Sequence, residues 1–377
     1  MVKKKYLHCL HDDKFLDGAI SLFDEDTRIE NTYILFTKNN GQESFKYIKS
    51  PKAHIQSLDS FLDCVIDYDV VILHGLGILP IEMIRKIPSP IKVVWLMWGY
   101  DFYNFKICNL KLYGPWSRNT LTLRERVRDI KSAILFSLFE KKIYRESLSR
   151  IDYFSGVFPY EYELLKNLSR YPDIKAKPID FYYGSTNFFV PEEPNHIIDN
   201  KFINVIIGNS GDPRNNTLEV FDALKDKLDI NCVKKIIVPL SYGSYRLFIK
   251  KVKQKGREIW GEQFFPLETY MPLDEYLNVV SNCKVAVYFH ERQQASDNVL
   301  MQLMYGARVF MSETSMMYQY LKNMGFYIYS LQKDINVINT PLTTEQIINN
   351  RTILSDNYSS SKLIERVKMM NNTICGF

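Results

Sequence analysis

The sequence contains no CxxC pair and no apolar run long enough to cross a membrane. Its six cysteines are scattered through 377 residues, which indicates neither a zinc site nor a disulfide framework and fits a reducing compartment. The densest apolar windows, AILFSLF and VVWLMW, fall far short of the roughly 20 residues that a spanning helix needs. These absences predict a soluble or peripheral protein, with the cytoplasm as its default location.

The start of the chain also lacks the apolar core of a signal peptide. MVKKKYLHCLHDDKFL begins with basic residues, but His8, His11, Asp12 and Asp13 interrupt the apolar run, so we expect no export by that route. Hydrophobic residues make up 46% of the chain and aromatic residues 14%, which excludes a disordered chain and suffices for a large core. The length favours two domains over one.

Positive charge is concentrated in residues 118–150, where nine Lys or Arg stand against four Asp or Glu. Val127, Ile130, Ile134 and Leu138 recur there at helical spacing, which predicts a basic amphipathic helix. Its apolar face either packs on the core, with the charges merely solvated, or contacts anionic lipid at the inner face of the cell membrane. Nucleic acid fits less well, since no DNA- or RNA-binding motif accompanies the basic residues.

Short apolar strands alternate with helical periods along the chain, which predicts the α/β class with parallel sheets. Residues 190–200, VPEEPNHIIDN, have the proline-containing, acidic and aperiodic composition of a linker. We therefore predict a Rossmann-like, doubly wound domain over residues 1–190 and a second one over residues 201–355. Residues 356–377 predict a C-terminal helix that crosses back onto the first domain.

Polar residues cluster after the predicted strands, where ligands of open α/β sheets bind, and two such domains are expected to face each other across a cleft. The predicted strands lie near 5–9, 33–37, 69–74, 91–96, 203–207, 235–239, 263–267, 284–289 and 308–312.

The loop GNSGD follows the strand at 203–207. Gly208 and Gly211 permit close approach and positive φ, while Asn209, Ser210 and Asp212 supply polar groups, which suits a cluster of anionic oxygens. The loop is neither a GxGxxG fingerprint nor a Walker loop, because no Gly-Lys-Ser/Thr follows. From the residues alone, an anion-binding loop and an ordinary capping turn are equally favoured.

A second polar loop, HERQQASDN, precedes a helix predicted to begin near Asn298. A helix N-terminus presents free N–H groups and about half a positive charge to whatever lies in front of it. Arg292 is suited to clamp a phosphate bidentately, with Asn298 as a further donor. Alternatively, Ser296 and Asp297 only cap the helix.

In the first domain, His74 and Asp101 end successive predicted strands. They are alternative candidates for the general base that takes a proton from an acceptor hydroxyl. Trp98, Tyr100 and Tyr103 either stack on an acceptor sugar or belong to the core. No DxD-like metal site accompanies the polar loops, so we expect no metal and no other cofactor.

Together these motifs resemble a known family, the TDP-N-acetylfucosamine:lipid II N-acetylfucosaminyltransferases of enterobacterial common antigen assembly. The similarity is strongest over residues 206–325, where GNSGD, an asparagine at Asn215 or Asn216, IVPLSYG (237–243) and RQQ (292–294) match the family's motifs.

The first half of the chain is similar to this family only in patches, at HG (74–75) and WGYDFY (98–103). Two residues depart from the pattern in the second half. Glu291 stands where a small residue is expected, and Ala295 stands where a glycine is expected.

The resemblance implies a GT-B glycosyltransferase whose second domain holds a dTDP-sugar and whose first domain faces a polyprenyl-diphosphate-linked saccharide. It implies transfer of a deoxy-amino sugar of the 4-acetamido-4,6-dideoxyhexose type, in surface polysaccharide synthesis of the enterobacterial common antigen or O-antigen type. The residues predicted to bind the donor are Gly208, Asn209, Ser210, Gly211, Asp212, Asn216, Pro239, Tyr242, Gln293, Gln294 and Asn298.

We expect the acceptor hydroxyl to attack the anomeric carbon while Arg292, the helix N-terminus near Asn298 and the loop 208–212 stabilise the departing diphosphate. One alternative is a nucleotide-sugar epimerase or hydrolase on the same two-domain fold, which needs no lipid acceptor. Another is a nucleotide-sugar binding module without activity. The basic helix and the aromatic residues of the first domain favour the transferase.

Overall fold

The computed structural model describes residues 2–38, 44–104, 106–108, 110–183 and 203–377. Contacts between residues divide the chain into two compact units. The first unit takes the described residues of Met1–Leu110, Lys131–Asn187 and Tyr358–Phe377, and the second unit takes those of Lys111–Ile130 and Phe188–Asn357.

Each unit is built on a parallel sheet. In the first unit the described strands are β1 Lys4–Cys9, β2 Ile29–Thr37, β3 Ala53–Ser57, β4 Val70–Leu73, β5 Lys92–Leu96, β6 Tyr153–Ser155 and β7 Lys177–Pro178, in the sheet order β3-β2-β1-β4-β5-β6-β7. In the second unit they are β8 Ile203–Ile207, β9 Val233–Pro239, β10 Phe264–Leu267, β11 Cys283–Tyr288, β12 Arg308–Met311 and β13 Tyr329–Ser330, in the order β10-β9-β8-β11-β12-β13.

Helices connect the strands. They are α1 Leu16–Phe23, α2 Phe61–Val65, α3 Ile81–Ile84, α4 Gly99–Phe102, α5 Pro115–Arg118, α6 Leu123–Leu135, α7 Lys141–Ser149, α8 Tyr160–Asn167, α9 Thr217–Leu224, α10 Arg246–Trp260, α11 Leu273–Ser281, α12 Ser296–Met304, α13 Met316–Asn323, α14 Thr344–Tyr358 and α15 Ser360–Cys375. A π-helical stretch, Phe136–Glu140, joins α6 to α7.

The central strands explain why the apolar runs form parallel sheets. All four residues of β4 are buried, as are the last four of β5, so these strands are covered on both faces. The predicted α/β class and the two doubly wound sheets are therefore confirmed. Every recorded strand pairing in both sheets is parallel, and β1 pairs with β2 on one side and β4 on the other.

The C-terminal helix α15 packs with the first unit. Leu363, Val367, Met370 and Ile374, spaced along one face of the helix, are buried in the same apolar cluster as Tyr6 of β1. The Nδ2 group of Asn371 also donates to Asp26 at 3.0 Å.

The boundary predicted between the domains differs from the observed units in one respect. Residues 111–130 lie inside the predicted first domain, but they pack with the second unit because α5 contacts the start of α9. The predicted linker, residues 190–200, lies outside the described residues. The short strands β3, β6, β7 and β13 were not among the sequence predictions.

Helix α6, described along its whole length, buries none of its residues. Val127, Ile130, Ile134 and Leu138 are 53–67% exposed, although the amphipathic pattern offered a core-facing helix as one interpretation. That interpretation is wrong for this helix, because its apolar face has no partner in the described part of the chain. Among the described residues, no helix is both long enough and apolar enough to span a bilayer.

Candidate functional site

In the second unit, the loop after β8 is shaped by one buried side chain, that of Asn215. Its Oδ1 accepts the Asn209 N–H at 3.1 Å, and its Nδ2 donates to Ser210 Oγ at 2.9 Å and to the carbonyl of Asp212 at 3.2 Å. Gly208 enters the loop at φ +68°, where a Cβ would lie 3.2 Å from Asn215 Oδ1. The loop is therefore held by internal bonds in a conformation that only a glycine adopts without strain.

The loop after β9 packs directly against it. The Gly211 N–H donates to the carbonyl of Tyr242 at 2.6 Å, and a Cβ on Gly243 would lie 2.7 Å from the Gly211 oxygen. Tyr242 itself is half-exposed, and its ring meets Tyr270 edge to face at 6.2 Å. The two glycines thus permit a backbone approach that brings the aromatic ring of Tyr242 beside the polar loop.

The third segment of this cluster is the loop between β11 and α12. Gln294 Nε2 donates to Asn209 Oδ1 at 3.0 Å, and Arg292 Nε donates to Gln294 Oε1 at 3.1 Å. The predicted donor residues 208–212, Tyr242 and 292–294 are therefore brought together at the carboxyl end of one sheet, which is the usual ligand position in such folds. We call this set the polar loop cluster.

Helix α12 begins directly after this loop. Ala295, at its N-cap, has the left-handed φ of +57° that a glycine adopts freely and that costs an alanine about 1–2 kcal/mol. A glycine, the residue expected at this position, adopts this φ without that cost. The other departure from the pattern, Glu291, accepts the hydroxyls of Ser312 at 2.7 Å and Thr314 at 2.6 Å, so it fixes the loop that follows β12.

Two of the predicted donor-binding residues have their polar groups occupied within the protein. Asp212 accepts from the backbone N–H and the guanidinium of Arg214. Burial alone would raise the pKa of Asp212, but these hydrogen bonds and the Arg214 charge bring it below its ordinary value. Asn216, in the left-handed region at φ +52°, is 1% exposed. Both therefore support the loop from within.

Asn216 joins three segments of the second unit. Its Oδ1 accepts the Gly114 N–H at 2.8 Å, and its Nδ2 donates to the carbonyls of Phe289 at 3.0 Å and Leu112 at 3.3 Å. One turn later, Glu219 accepts the backbone N–H of Ser117 at 2.9 Å and its hydroxyl at 2.5 Å. Residues 112–117, distant in sequence, are thus anchored beside the polar loop cluster.

The two remaining predicted donor residues, Pro239 and Asn298, lie outside the cluster and have no recorded hydrogen bond to it. Pro239 is the last residue of β9, and Gln293 is buried with its amide donating to Ser296 Oγ at 3.0 Å. Asn298 accepts the Tyr276 hydroxyl at 2.8 Å.

Sequence reasoning missed His290, which is fully buried between β11 and Arg292. Burial and the Arg292 charge lower its pKa to about 3, so the ring is neutral at physiological pH. The sequence offered one reason to select His290, namely its position two residues before Arg292.

In the first unit, Asp101 is a buried acceptor that holds two strand ends together. Its Oδ2 accepts the Leu76 N–H and the Trp95 indole N–H, both at 2.8 Å, and its Oδ1 accepts the Trp98 N–H at 2.9 Å. Burial raises the pKa of Asp101 to about 7 against the opposing effect of these hydrogen bonds. The carboxyl group is 4% exposed, so an acceptor hydroxyl does not reach it without a rearrangement.

His74 lies in a buried chain of hydrogen bonds. His8 Nε2 faces Asn31 Oδ1 at 3.0 Å, His8 Nδ1 faces His74 Nε2 at 3.0 Å, and His74 Nδ1 faces the Tyr183 hydroxyl at 2.7 Å. The chain ends where the Trp98 indole N–H donates to the Tyr183 oxygen at 3.2 Å. Both ring nitrogens of His74 are therefore engaged within the protein.

The Asn31 amide fixes the direction of every bond in this chain. Its Nδ2 donates to the Phe23 carbonyl and to Asp24, so its Oδ1 must accept, and His8 carries its proton on Nε2. The neutral His8 then accepts at Nδ1 from His74 Nε2–H, and His74 accepts at Nδ1 from the Tyr183 hydroxyl.

We predict that both histidines remain neutral Nε2–H tautomers throughout the physiological pH range. Burial lowers the pKa of His8 to about 4 and that of His74 well below its ordinary value, because the charged form loses its hydration. Nitrogen-15 spectra of the two rings, recorded from pH 8 down to pH 5.5, should show no change in protonation. An Nδ1–H signal, or titration near pH 6.5, would contradict the assigned chain.

The three aromatic candidates differ in exposure. Trp98 is half-buried and stacks on Phe15 at 5.6 Å, whereas Tyr100 is 48% exposed with its hydroxyl over Gly75. Tyr103 is buried and donates its hydroxyl to Glu161 at 2.6 Å. Trp98 and Tyr100 therefore retain surface for a ligand, while Tyr103 belongs to the core.

The chain is similar in fold to several solved glycosyltransferase structures. They include HepE from Anabaena in complex with UDP (TM-score 0.66, 9% identity, 98% of this chain and 100% of that chain). They also include a glycosyltransferase from Rickettsia africae ESF-5 (0.62, 11%, 99% and 99%) and the alpha,alpha-trehalose 6-phosphate synthase from Burkholderia multivorans (0.63, 6%, 100% and 98%).

Two parallel-sheet units with this fold define the GT-B class, and the chain is a glycosyltransferase. A second comparison finds a family that part of the chain resembles. Residues 172–353 match the family described as 4-alpha-L-fucosyltransferase glycosyl transferase group 56, which confirms the predicted resemblance over this segment. The matched residues include the entire polar loop cluster.

Proposed function

We propose that the protein transfers a deoxy-amino sugar, of the 4-acetamido-4,6-dideoxyhexose type, from a dTDP-sugar to a polyprenyl-diphosphate-linked saccharide. The second unit binds the donor and the first unit binds the acceptor. The reaction belongs to bacterial surface polysaccharide synthesis of the enterobacterial common antigen or O-antigen type, at the cytoplasmic face of the cell membrane.

The observation that carries the proposal is the polar loop cluster. The bond from Gln294 to Asn209 and that from Arg292 to Gln294 hold a guanidinium, side-chain amides and glycine-rich backbone beside the N-terminus of α12. Such an arrangement supplies fixed N–H dipoles and a positive charge to the two phosphates of a leaving group. Tyr242 offers its half-exposed ring to the base of the nucleoside.

The comparisons support the class of donor. HepE from Anabaena, which has the same fold, was solved in complex with UDP, and the family match covers the residues of the cluster. A bound nucleoside diphosphate and a glycosyl transferase family together support a nucleoside-diphosphate sugar as the donor. The thymine base and the particular sugar rest on the sequence motifs alone.

We further propose that the reaction needs no divalent metal, because Arg292 and the α12 N-terminus provide the positive potential that an ion otherwise supplies. Transfer should therefore proceed at full rate in EDTA.

A thermal-shift screen of nucleotide sugars tests the donor assignment. Ligands that bind only the folded protein raise its melting temperature in proportion to the logarithm of their concentration over Kd. We expect dTDP-sugars to stabilise the protein more than UDP-, GDP- or CMP-sugars at equal concentration. Equal stabilisation by all classes, or preference for another base, would overturn the assignment to dTDP.

The exposed helix α6 supports a membrane-surface location. Leu123, Val127, Ile130, Ile134 and Leu138 form an apolar stripe running from α6 into the π-helical stretch, and each is at least half-exposed. Residues 118–150 carry nine basic side chains against four acidic ones. Apolar contact combined with about 1 kcal/mol for each basic residue near an anionic surface is enough for reversible binding.

We expect the protein to cosediment with phosphatidylglycerol vesicles and not with phosphatidylcholine vesicles, and to dissociate as salt is raised. Replacing Ile134 and Leu138 together with glutamate should lower vesicle binding at least about tenfold, since 1.4 kcal/mol corresponds to a factor of ten. Ile348→Glu is the matched control, because this exposed isoleucine lies on α14 outside the stripe. Equal binding by the double variant and the control would contradict the location.

A further inference from the structure

The carboxyl end of the first sheet carries an acidic residue that the sequence motifs did not single out, Asp13. It follows β1 closely, in the segment that leads to α1. Its Oδ1 accepts the Phe15 N–H at 3.1 Å, and the Phe15 ring stacks on Trp98. Trp98 is in turn bonded to Tyr183. Asp13 is therefore tied to the aromatic surface that the acceptor is proposed to contact.

The charge of the Asp13 carboxylate acts on two nearby tyrosines, Tyr100 and Tyr183. Burial raises the pKa of Tyr100 and of Tyr183, and in both cases the negative charge of Asp13 adds to the increase. His11, two residues earlier, lies with its ring 6.1 Å from that of Tyr100. The carboxylate is thus within electrostatic range of both tyrosine hydroxyls, on the side of the sheet where Trp98 and Tyr100 retain exposed surface.

Asp13 differs from its acidic neighbours in how its oxygens are used. Asp12 accepts three backbone N–H groups, those of residues 46–48, at 2.7–3.0 Å. Asp101 accepts three buried N–H groups. Asp13 is only half-buried, and in the described part of the chain its Oδ2 has no recorded hydrogen bond. It is the carboxylate of this region that combines exposure with an available oxygen.

We propose that Asp13 is the general base of the transfer reaction, and that Asp101 and His74 are positioning residues. This inference rests on the proposed function. The acceptor hydroxyl gives its proton to Asp13 Oδ2 while the oxygen lone pair forms the bond to the anomeric carbon. The bond from that carbon to the diphosphate breaks, and its electron pair leaves with the nucleoside diphosphate. A base placed in this way serves a single displacement with inversion.

The test compares the whole protein with its Asp13→Asn variant, using a dTDP-linked 4-acetamido-4,6-dideoxyhexose and a synthetic lipid-diphosphate disaccharide. Asparagine keeps the oxygen that accepts the Phe15 N–H but cannot take a proton at neutral pH. We expect kcat to fall about 10²–10⁴-fold, with donor affinity and melting temperature unchanged. Asp13→Ser, which also offers an acceptor to the Phe15 N–H, should show the same loss and guards against a folding defect in the first variant.

Asp229→Asn is the matched control, because Asp229 also accepts a backbone N–H two residues ahead, that of Asn231, and lies in the second unit. It should keep wild-type kcat. A loss of less than about tenfold in folded Asp13→Asn would overturn the base assignment and leave the proposed function intact. A wild-type protein that makes no product with these substrates would overturn the proposed function, and the base assignment with it.

Discussion

Replacing Arg292 with alanine is expected to lower kcat for sugar transfer about 10²–10³-fold, the loss typical when one fixed donor to a developing negative charge is removed. In the reaction, the diphosphate gains charge as the bond to the sugar breaks, and the guanidinium interacts more strongly with this state than with the intact donor. The variant should therefore lose turnover even at saturating donor.

The polar loop cluster makes this effect larger than the loss of one charge. Arg292 Nε donates to Gln294, and Gln294 donates to Asn209, so removal of the guanidinium also releases the amide that joins the two loops. Arg292→Lys keeps the charge but not the planar fork, and its activity should fall between wild type and alanine. Arg257→Ala, on the exposed surface of α10, is the control. Wild-type turnover in Arg292→Ala would contradict the role of the cluster.

The second large effect is expected on stability, from Asp101. Alanine at this position leaves the N–H groups of Leu76, Trp98 and the Trp95 indole without their acceptor. Each buried donor that loses its partner costs about 1–3 kcal/mol, so the free energy of unfolding should fall by roughly 3 kcal/mol or more. Urea unfolding followed by tryptophan fluorescence measures this directly, because Trp95 and Trp98 lie in the affected contacts.

The same residue gives a pH dependence of defined sign. Because burial raises the pKa of Asp101 from 3.8 to about 7, the folded protein retains a proton between these values that the unfolded chain has lost. The contribution of this group to the free energy of unfolding therefore decreases as pH rises from 4 to 7, by up to about 4 kcal/mol. In Asp101→Asn the contribution is absent, so the stability advantage of wild type over this variant should shrink across that range.

Asp26 provides the control of opposite sign. It is also buried, but the hydrogen bonds from Arg28 and Asn371 outweigh burial and lower its pKa to about 2. Its stabilising contribution is present above pH 3.8 and is lost only as pH falls towards 2. The difference between wild type and Asp26→Asn should therefore stay constant from pH 4 to 7. A constant difference for Asp101→Asn as well would show that the Asp101 pKa is not raised.

Much of the fold could be predicted because the central strands are continuous apolar runs. β8, β11 and β12 were predicted within one or two residues, since a parallel strand buried on both faces leaves a clear mark in the sequence. β3, AHIQS, alternates between buried and exposed residues and is short, and β7 has two residues. These strands form because neighbouring strands pair with them, and such pairing cannot be read from the local sequence pattern.

The sequence predicted where the loops of the candidate site lie better than it predicted what each of their side chains does. Glycines and polar residues after a strand locate the loops 208–212 and 292–294, but the sequence does not say which amide binds a ligand and which holds the loop. Asn216 belongs to the latter kind, because its partners at 112–114 are about a hundred residues away. The same holds for Asp101 and His74. Their position at the end of a strand predicts where they lie along the sheet, but it does not predict that their side chains are buried.

Transfer of sugar from donor to acceptor is the central claim, and mass spectrometry of the acceptor tests it most directly. The purified protein is incubated with a dTDP-linked 4-acetamido-4,6-dideoxyhexose, with and without a synthetic lipid-diphosphate disaccharide, in EDTA. We predict that the acceptor gains the mass of one acetamido-dideoxyhexose residue and that the donor is consumed only when the acceptor is present. The account would be contradicted if the donor were converted in the sample without acceptor and the acceptor kept its original mass in the other sample. That result would identify an epimerase or hydrolase.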